Sequence, residues 1–514
     1  PEKDKKYPLV GIVDGGISSI LKEWIAEEHE FIHPDDREES HATFIGGLLV
    51  SGNTINGSEV CKEMDGCKLL DVAVLPKDEK FRSYYINSPL EFFKELGVAI
   101  GELKQKTGVR IFNFSLNTQE HVSSDGYSNP AKYLDAIAQE HDVIFVISAG
   151  NTHPNDIREE WPKDPTKALS ILASCRNHIL KSPAESCRNL SVAAVNAPNV
   201  KGTIPFAPAN YSCHGPGMRV GIKPDLAHIG GAGAVANSGL LSLSKEGQLI
   251  EECGTSYAAP HLAKTLACLD RDIEGYTSRE TLMALVLHHS AIPECLQNKK
   301  LKKILKNVVG FGIPSSSEEI LEGDDSSITL VFANRIRNGQ RMRFKFSWPP
   351  SLVNNGACSG LVKLTLVSTP PFNYKYGAEF VRVNIQGSLR QEEIDEEGKT
   401  SYEGRLKPIY EPEKGPKQQK EKNLIDKAFK WASTKVFGAD LTEKGNSSNW
   451  TLDVEYLTRD GEVMPAEGVP FTALLTIEDS NRKGLVFQEM RNNLTAIGVR
   501  IADIQTAARV TPRV

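Results

Sequence analysis

Nothing in this sequence approaches the roughly 18 unbroken apolar residues that a membrane-spanning helix requires. The opening run Pro1-Glu2-Lys3-Asp4-Lys5-Lys6 is charged and offers no apolar core for a secretory signal. A start at proline instead of methionine implies a trimmed N-terminus. No Cys-x-x-Cys pair occurs, which argues against a structural zinc site. The cysteines, at 61, 67, 175, 187, 213, 253, 268, 295 and 358, are odd in number and irregularly spaced. A disulfide scaffold favours even counts, so free thiols in a reducing, cytoplasmic compartment are expected. Neither sign of charge is in large excess: the net charge is −6, which gives no electrostatic case for a nucleic-acid partner. No internal repeat marks a solenoid. What remains is a globular composition, with 40% hydrophobic and 25% charged residues over 514 positions.

From residue 1 to about 320, short apolar runs alternate with helical patterns. Leu9–Val13, Lys68–Val74, Arg110–Ser115 and Val143–Ile147 read as strands, and Ser88–Lys106 and Ala131–His141 as helices. Near-continuous apolar strands suit a parallel sheet covered on both faces, hence an α/β fold built from βαβ units. From 321 to 514 the texture changes to short strand-like runs, among them 328–332, 342–346, 361–367, 380–385, 451–456, 471–477 and 485–490. That pattern predicts a β-sandwich. Within it, about 390–422 is dense in Glu, Lys, Gln, Gly and Pro and reads as a solvated or disordered insertion.

Four segments carry the chemistry. In Val10-Gly11-Ile12-Val13-Asp14-Gly15-Gly16, an apolar strand ends in an acid, where α/β proteins place ligands. In Ser40-His41-Ala42-Thr43-Phe44-Ile45-Gly46-Gly47, a histidine heads an apolar helix whose glycines allow close approach. Val146-Ile147-Ser148-Ala149-Gly150-Asn151 is a buried strand that ends in small residues and an amide donor. Cys253-Gly254-Thr255-Ser256-Tyr257-Ala258-Ala259-Pro260-His261 puts a serine at a helix start, where unpaired N–H groups favour developing negative charge. Taken singly, each has a bland reading: a turn, a surface histidine, a strand exit, a helix cap.

Taken in order, these segments resemble the subtilisin-like serine peptidases, over about residues 7 to 270. The resemblance implies a catalytic triad of Asp14, His41 and Ser256, with Asn151 in the oxyanion hole. It also implies that Ser182-Pro183-Ala184 through Val195, Phe206–Gly217 and Ile222–Ala227 have family counterparts. Three departures stand out. Gly15 replaces a usual Thr or Ser and could alter the bonding of Asp14, while Ala42 replaces a usual Gly. The stretch Ser51–Gly57 lacks a carboxylate, so the calcium site many relatives hold nearby is expected to be absent, and no metal or cofactor is required.

The implied activity is hydrolysis of peptide bonds in extended protein or peptide segments lying along Ser115-Leu116-Asn117. The specificity pocket would be walled by those residues and Ser148-Ala149-Gly150-Asn151, with Lys181 near its floor. Asn117 stands where glycine is usual, so a narrowed mouth is expected. Lys181 either points inward, favouring an acidic side chain, or reaches solvent and leaves a pocket for a medium apolar one. Two broader readings stay open: a selective protease held back by a pro-segment or regulatory partner, and a catalytically silent module acting through its sandwich.

Overall fold

Strand burial follows from composition: the apolar runs sit centrally, and the one alternating run sits at an edge. A computed structural model describes residues 1–498 apart from Asn87, Gln119, Arg176, Asn199, 234–237 and 411–429. The strands β1 (Leu9–Asp14), β2 (Ile25–Glu30), β3 (Lys68–Ala73), β4 (Ile111–Phe114), β5 (Ile144–Ser148), β6 (Leu190–Val195) and β7 (Leu226–Ile229) form one parallel sheet. Their order is β2-β3-β1-β4-β5-β6-β7. Strand β4 is buried along its whole length, whereas β2, Ile-Ala-Glu-Glu-His-Glu, alternates half-buried and exposed positions as an edge strand should.

The helices up to residue 272 are α1 (Ser40–Asn56), α2 (Phe81–Tyr84), α3 (Leu90–Thr107), α4 (Asn129–Glu140), α5 (Pro165–Ser174) and α6 (Thr255–Asp272). Helix α6 packs across β1, β4, β5, β6 and β7 and against α1, while α3 and α4 pack together and reach β2 and β5. Helix α4 starts where Ser128 Oγ accepts the Ala131 N–H, with Pro130 in the first turn, and α3 stops at Gly108, whose φ is +76°. The chain reverses its direction of travel across the sheet between β1 and β4. That makes their C-terminal ends the switch point, the crevice where open α/β sheets bind ligands. A hairpin, β8 (Leu240–Leu243) with β9 (Leu249–Glu252), lies on α1 and leads into α6.

The chain clusters into two compact units, Pro1–Asp272 with His289–Ser317, and Ile273–His288 with Glu318–Val514. In the first, the short strands β10 (Ser290–Ala291) and β11 (Ile313–Pro314) pair near its end. The second holds helix α7 (Arg279–His288) and two antiparallel sheets. One comprises β12 (Ser327–Ile336), β14 (Val353–Asn354), β15 (Ala357–Ser368), β18 (Lys407–Pro408), β19 (Thr434–Lys444) and β21 (Val469–Glu478). The other comprises β13 (Met342–Ser347), β16 (Val383–Ile394), β17 (Thr400–Gly404) and β20 (Asn449–Thr458). Their inner faces share one apolar core, centred on Trp348 and Trp450 stacked at 4.3 Å. It is a β-sandwich.

Two sequence expectations are corrected here. Leu485–Met490 is not a strand but belongs to the helix Val486–Ala496, because Val486, Met490 and Leu494 recur at a four-residue spacing and are the residues it buries. The charged stretch at 390–422 is strand in its first part: β16 runs on to Ile394 and pairs with β17. Arg405 explains this, bonding Glu393 and Glu403 so that charges of opposite sign lie side by side on the ribbon. Residues 411–422 of that stretch lie outside the described residues.

Candidate active site

Asp14 is the last residue of β1 and is only 3% exposed, so its carboxylate must be satisfied internally. One oxygen accepts the Gly15 N–H at 2.8 Å, and the other lies 2.6 Å from His41 Nδ1. A protonated Nδ1 donates across that short contact and leaves Nε2 as the acceptor. The Gly15 departure thus has a physical account. A Cβ there would stand 2.4 Å from the Glu38 carbonyl oxygen, so no side chain fits, and the backbone N–H serves the aspartate instead.

His41 sits in the first turn of α1, its ring over Tyr257 at 5.6 Å. Glycines 46 and 47 let this helix settle: a Cβ on Gly47 would meet Ser242 Oγ at 2.3 Å and the Leu243 nitrogen at 3.1 Å. Ser242 Oγ in turn donates to the Phe44 carbonyl at 2.6 Å, tying α1 to the β8–β9 hairpin. Burial of the imidazole pushes its pKa down, but the Asp14 carboxylate, with Glu38 and Glu252 further off, outweighs this and leaves it raised.

Ser256 is the second residue of α6, and the sequence of that helix explains its surroundings. Pro260 has no N–H, so the carbonyl of Ser256, four residues earlier, has no helical donor. Ser115 supplies one: its hydroxyl donates to the Ser256 carbonyl at 2.9 Å and itself accepts from Asn113 Nδ2 at 3.0 Å. The Ser256 hydroxyl donates to the Ser115 carbonyl at 3.3 Å. Among the described residues it makes no hydrogen bond to His41.

Asn151 follows β5 and is clamped from α6. The Thr255 N–H and the Thr255 hydroxyl both donate to its Oδ1 at 2.9 Å, so Nδ2 is the free-standing donor end. Gly254 keeps that end uncovered, since a Cβ there would lie 3.2 Å from Nδ2. Thr255 Oγ1 also accepts the Gly150 N–H at 3.2 Å. Thr255 is therefore the positioning residue that a reading of the motif as cap and nucleophile overlooked, as is Ser115 through its hydroxyl. Pro260 carried the signal for Ser115: a proline in the second helical turn always orphans a carbonyl upstream.

The remaining site residues gather beside these. Ser115-Leu116-Asn117 leave the end of β4 and Ala149-Gly150-Asn151 leave β5, with Ser148 at the strand end. Asn117 Nδ2 donates to the Ser148 carbonyl at 2.9 Å, and Ser148 Oγ donates to Asn117 Oδ1 at 2.8 Å. Lys181 donates its backbone N–H to the Ala149 carbonyl at 3.1 Å, and its stem lies against Gly150, whose φ is +99°. After the histidine helix, Asp65 bonds the N–H groups of Asn53 and Thr54 at 2.9 and 3.1 Å, a carboxylate brought from outside the stretch Ser51–Gly57. Among the described residues no group of three or more His, Cys, Asp or Glu side chains could hold a metal ion.

A buried acid, a histidine and a serine thus stand on separate strand and helix ends at the switch point of a parallel sheet, the residue types that serine hydrolases use. The sequence matches the subtilase family over residues 8–312, and the chain belongs to that family. An uncharacterised protein, y4bN of Sinorhizobium fredii, is 24% identical over 308 residues, which is 54% of this chain and 70% of that protein. Among solved structures, the epidermin leader peptide processing serine protease EpiP of Staphylococcus aureus aligns with 14% identity and a TM-score of 0.39, covering 62% of this chain and 76% of that one. MycP1 with its N-terminal propeptide removed aligns with 16% identity and a TM-score of 0.38, covering 61% and 90%.

Proposed function

We propose that this chain is a serine endopeptidase that cleaves extended polypeptide segments through an acyl-enzyme. The observation that carries the reading is the 2.6 Å Asp14–His41 contact, set beside a serine at a helix start whose neighbour clamps Asn151. Substrate arrival would turn Ser256 Oγ from the Ser115 carbonyl toward His41 Nε2, which takes its proton as the hydroxyl oxygen attacks the scissile carbonyl. Asp14 holds the ring in the tautomer that accepts at Nε2 and stabilises the imidazolium that forms. The carbonyl oxygen, now negative, would lie against Asn151 Nδ2 and the N–H groups opening α6. His41 then gives its proton to the leaving amine, and water repeats the sequence on the acyl-enzyme. Every step uses groups of this chain and water.

The nine cysteines are free thiols, which supports placing the enzyme in a reducing compartment such as the cytoplasm. Among the described residues no helix is long and apolar enough to cross a membrane.

A fluorophosphonate probe tests the activity. Wild type should label at Ser256 and lose labelling in Ser256→Ala and His41→Ala. Absence of labelling in folded wild type would favour the silent alternative, to which the serine's hydrogen bond away from His41 lends its one support.

A further inference from the structure

We infer that Asn117 restricts the residue on the acyl side of the scissile bond to a small side chain, glycine, alanine or serine, and does so by filling space and not by charge. The inference rests on the peptidase reading above. A carbonyl attacked by Ser256 Oγ, with its oxygen at Asn151 Nδ2, belongs to a residue lying between the diverging exits of β4 and β5. Ser256 Oγ touches the Ser115 carbonyl on the first exit, and Asn151 stands on the second. The side chain of that residue enters the crevice between the two.

That crevice is closed on three sides. The β4 and β5 strands pair up to Phe114 with Ile147, and three residues beyond Phe114, Asn117 turns back to bond Ser148 twice. The amide therefore lies across the gap as a strap. Beyond it, the Thr118 N–H bonds the Ser182 carbonyl at 2.8 Å, the Ser182 N–H the Glu120 carbonyl at 3.0 Å, and the Val122 N–H the Leu180 carbonyl at 2.8 Å. Residues 180–182 are thus stitched to one wall, and through the Lys181 N–H to the other. At the floor the Lys181 stem is packed so closely on Gly150 that a Cβ there would lie 2.9 Å from both its Cβ and its Cγ.

The strap is held firmly. Ser148 is wholly buried, and swinging Asn117 aside would leave its hydroxyl and carbonyl without these partners and without water to replace them. Both ends of the amide are engaged by uncharged groups, and Asn117 itself carries no charge to draw in a basic side chain. The medium apolar residue and the acidic residue entertained from sequence alone both give way to a small one.

The experiment is a peptide library varied at the acyl-side position, cleaved by wild type, Asn117→Gly, Asn117→Ser and Lys181→Ala. Each preparation is titrated with the fluorophosphonate probe so that rates refer to competent sites, and each is checked for folding by its melting temperature. Wild type should cleave after alanine at least about 100-fold faster, in kcat/KM, than after phenylalanine or leucine. Asn117→Gly should raise the phenylalanine-to-alanine ratio at least about tenfold, and Asn117→Ser, which disturbs the backbone less, should raise it in the same direction. Wild-type preference for large or basic residues overturns the inference, as does an unchanged ratio in both variants. An acidic preference abolished in Lys181→Ala overturns it in favour of charge. A wild type that labels with no probe and cleaves no library member sinks the peptidase reading itself, a distinct outcome.

Discussion

In the proposed mechanism the Ser256 hydroxyl forms the acyl-enzyme, so Ser256→Ala should lower kcat by about 10⁶-fold. Residual turnover within tenfold of wild type would mean the nucleophile lies elsewhere. As proposed, Asn151 acts on a charge that exists only during reaction, so Asn151→Ala should cost about 10²–10³ in kcat with KM little changed. A change confined to KM would make it a substrate-binding residue instead. His41 must be neutral to accept a proton, and its pKa is raised by Asp14 against the opposing effect of burial. The rate therefore rises with pH, with its midpoint above the unperturbed value of about 6.5, and Asp14→Asn should lower both the midpoint and kcat. Single-turnover rates from pH 5 to 9 check this; a midpoint at or below 6.5 in wild type would contradict it. As candidates these four residues could be picked out because each stands at a strand end or helix start. Thr255 was not, because its role is to hold Asn151 across 104 residues of sequence, a contact no local pattern encodes.

At the scale of elements, Pro260 and Ser115 form a testable pair. Ser115→Ala strips the Ser256 carbonyl of its donor and should lower stability by about 1–2 kcal/mol. Pro260→Ala restores a helical N–H to the same carbonyl, so the double variant should lose less than the sum of the two singles, by roughly 0.5–1 kcal/mol. Urea melts of the four proteins measure the coupling, and strict additivity would show that the two residues do not serve one carbonyl. The parallel sheet was readable because its central strands are apolar on both faces, whereas β2, which alternates half-buried and exposed residues, was not read as a strand. The sandwich strands were readable by their short spacing, yet Leu485–Met490 was mistaken for one, since a six-residue window is too short to separate period two from period four. The charged hairpin of β16 and β17 was hidden for another reason. Composition reports solvation, and a two-stranded ribbon with paired charges is as solvated as a loop.

For the chain as a whole, buried titratable groups decide how its stability answers to acid. His228 and His261 stack at 4.6 Å, and the His261 Nε2 is buried with no hydrogen-bond partner among the described residues. Around them stand Lys62 and Lys264, while the nearby Glu63 carboxylate is engaged by Thr265 and Ser317. Burial, and then the charge of Lys264, push His261 down to about 3, and His228 is lowered too, by burial first and then by His261 and Lys62. Both rings are neutral in the fold but take protons near pH 6.5 once unfolded, so below that value the unfolded state binds more protons. Stability should therefore fall as pH drops from about 6.5 toward about 3, by up to roughly 1.4 kcal/mol per pH unit for each ring. His261→Phe should flatten that slope without changing the cysteine chemistry. The thiols give an independent handle. Burial raises Cys61, Cys67 and Cys187 to about 12, which keeps them protonated and unreactive at neutral pH. With all nine cysteines unpaired, adding dithiothreitol should leave both the melting temperature and its pH dependence unchanged. A large drop on reduction would show that disulfides constrain the unfolded chain, and would remove the support that free thiols lend to a reducing compartment.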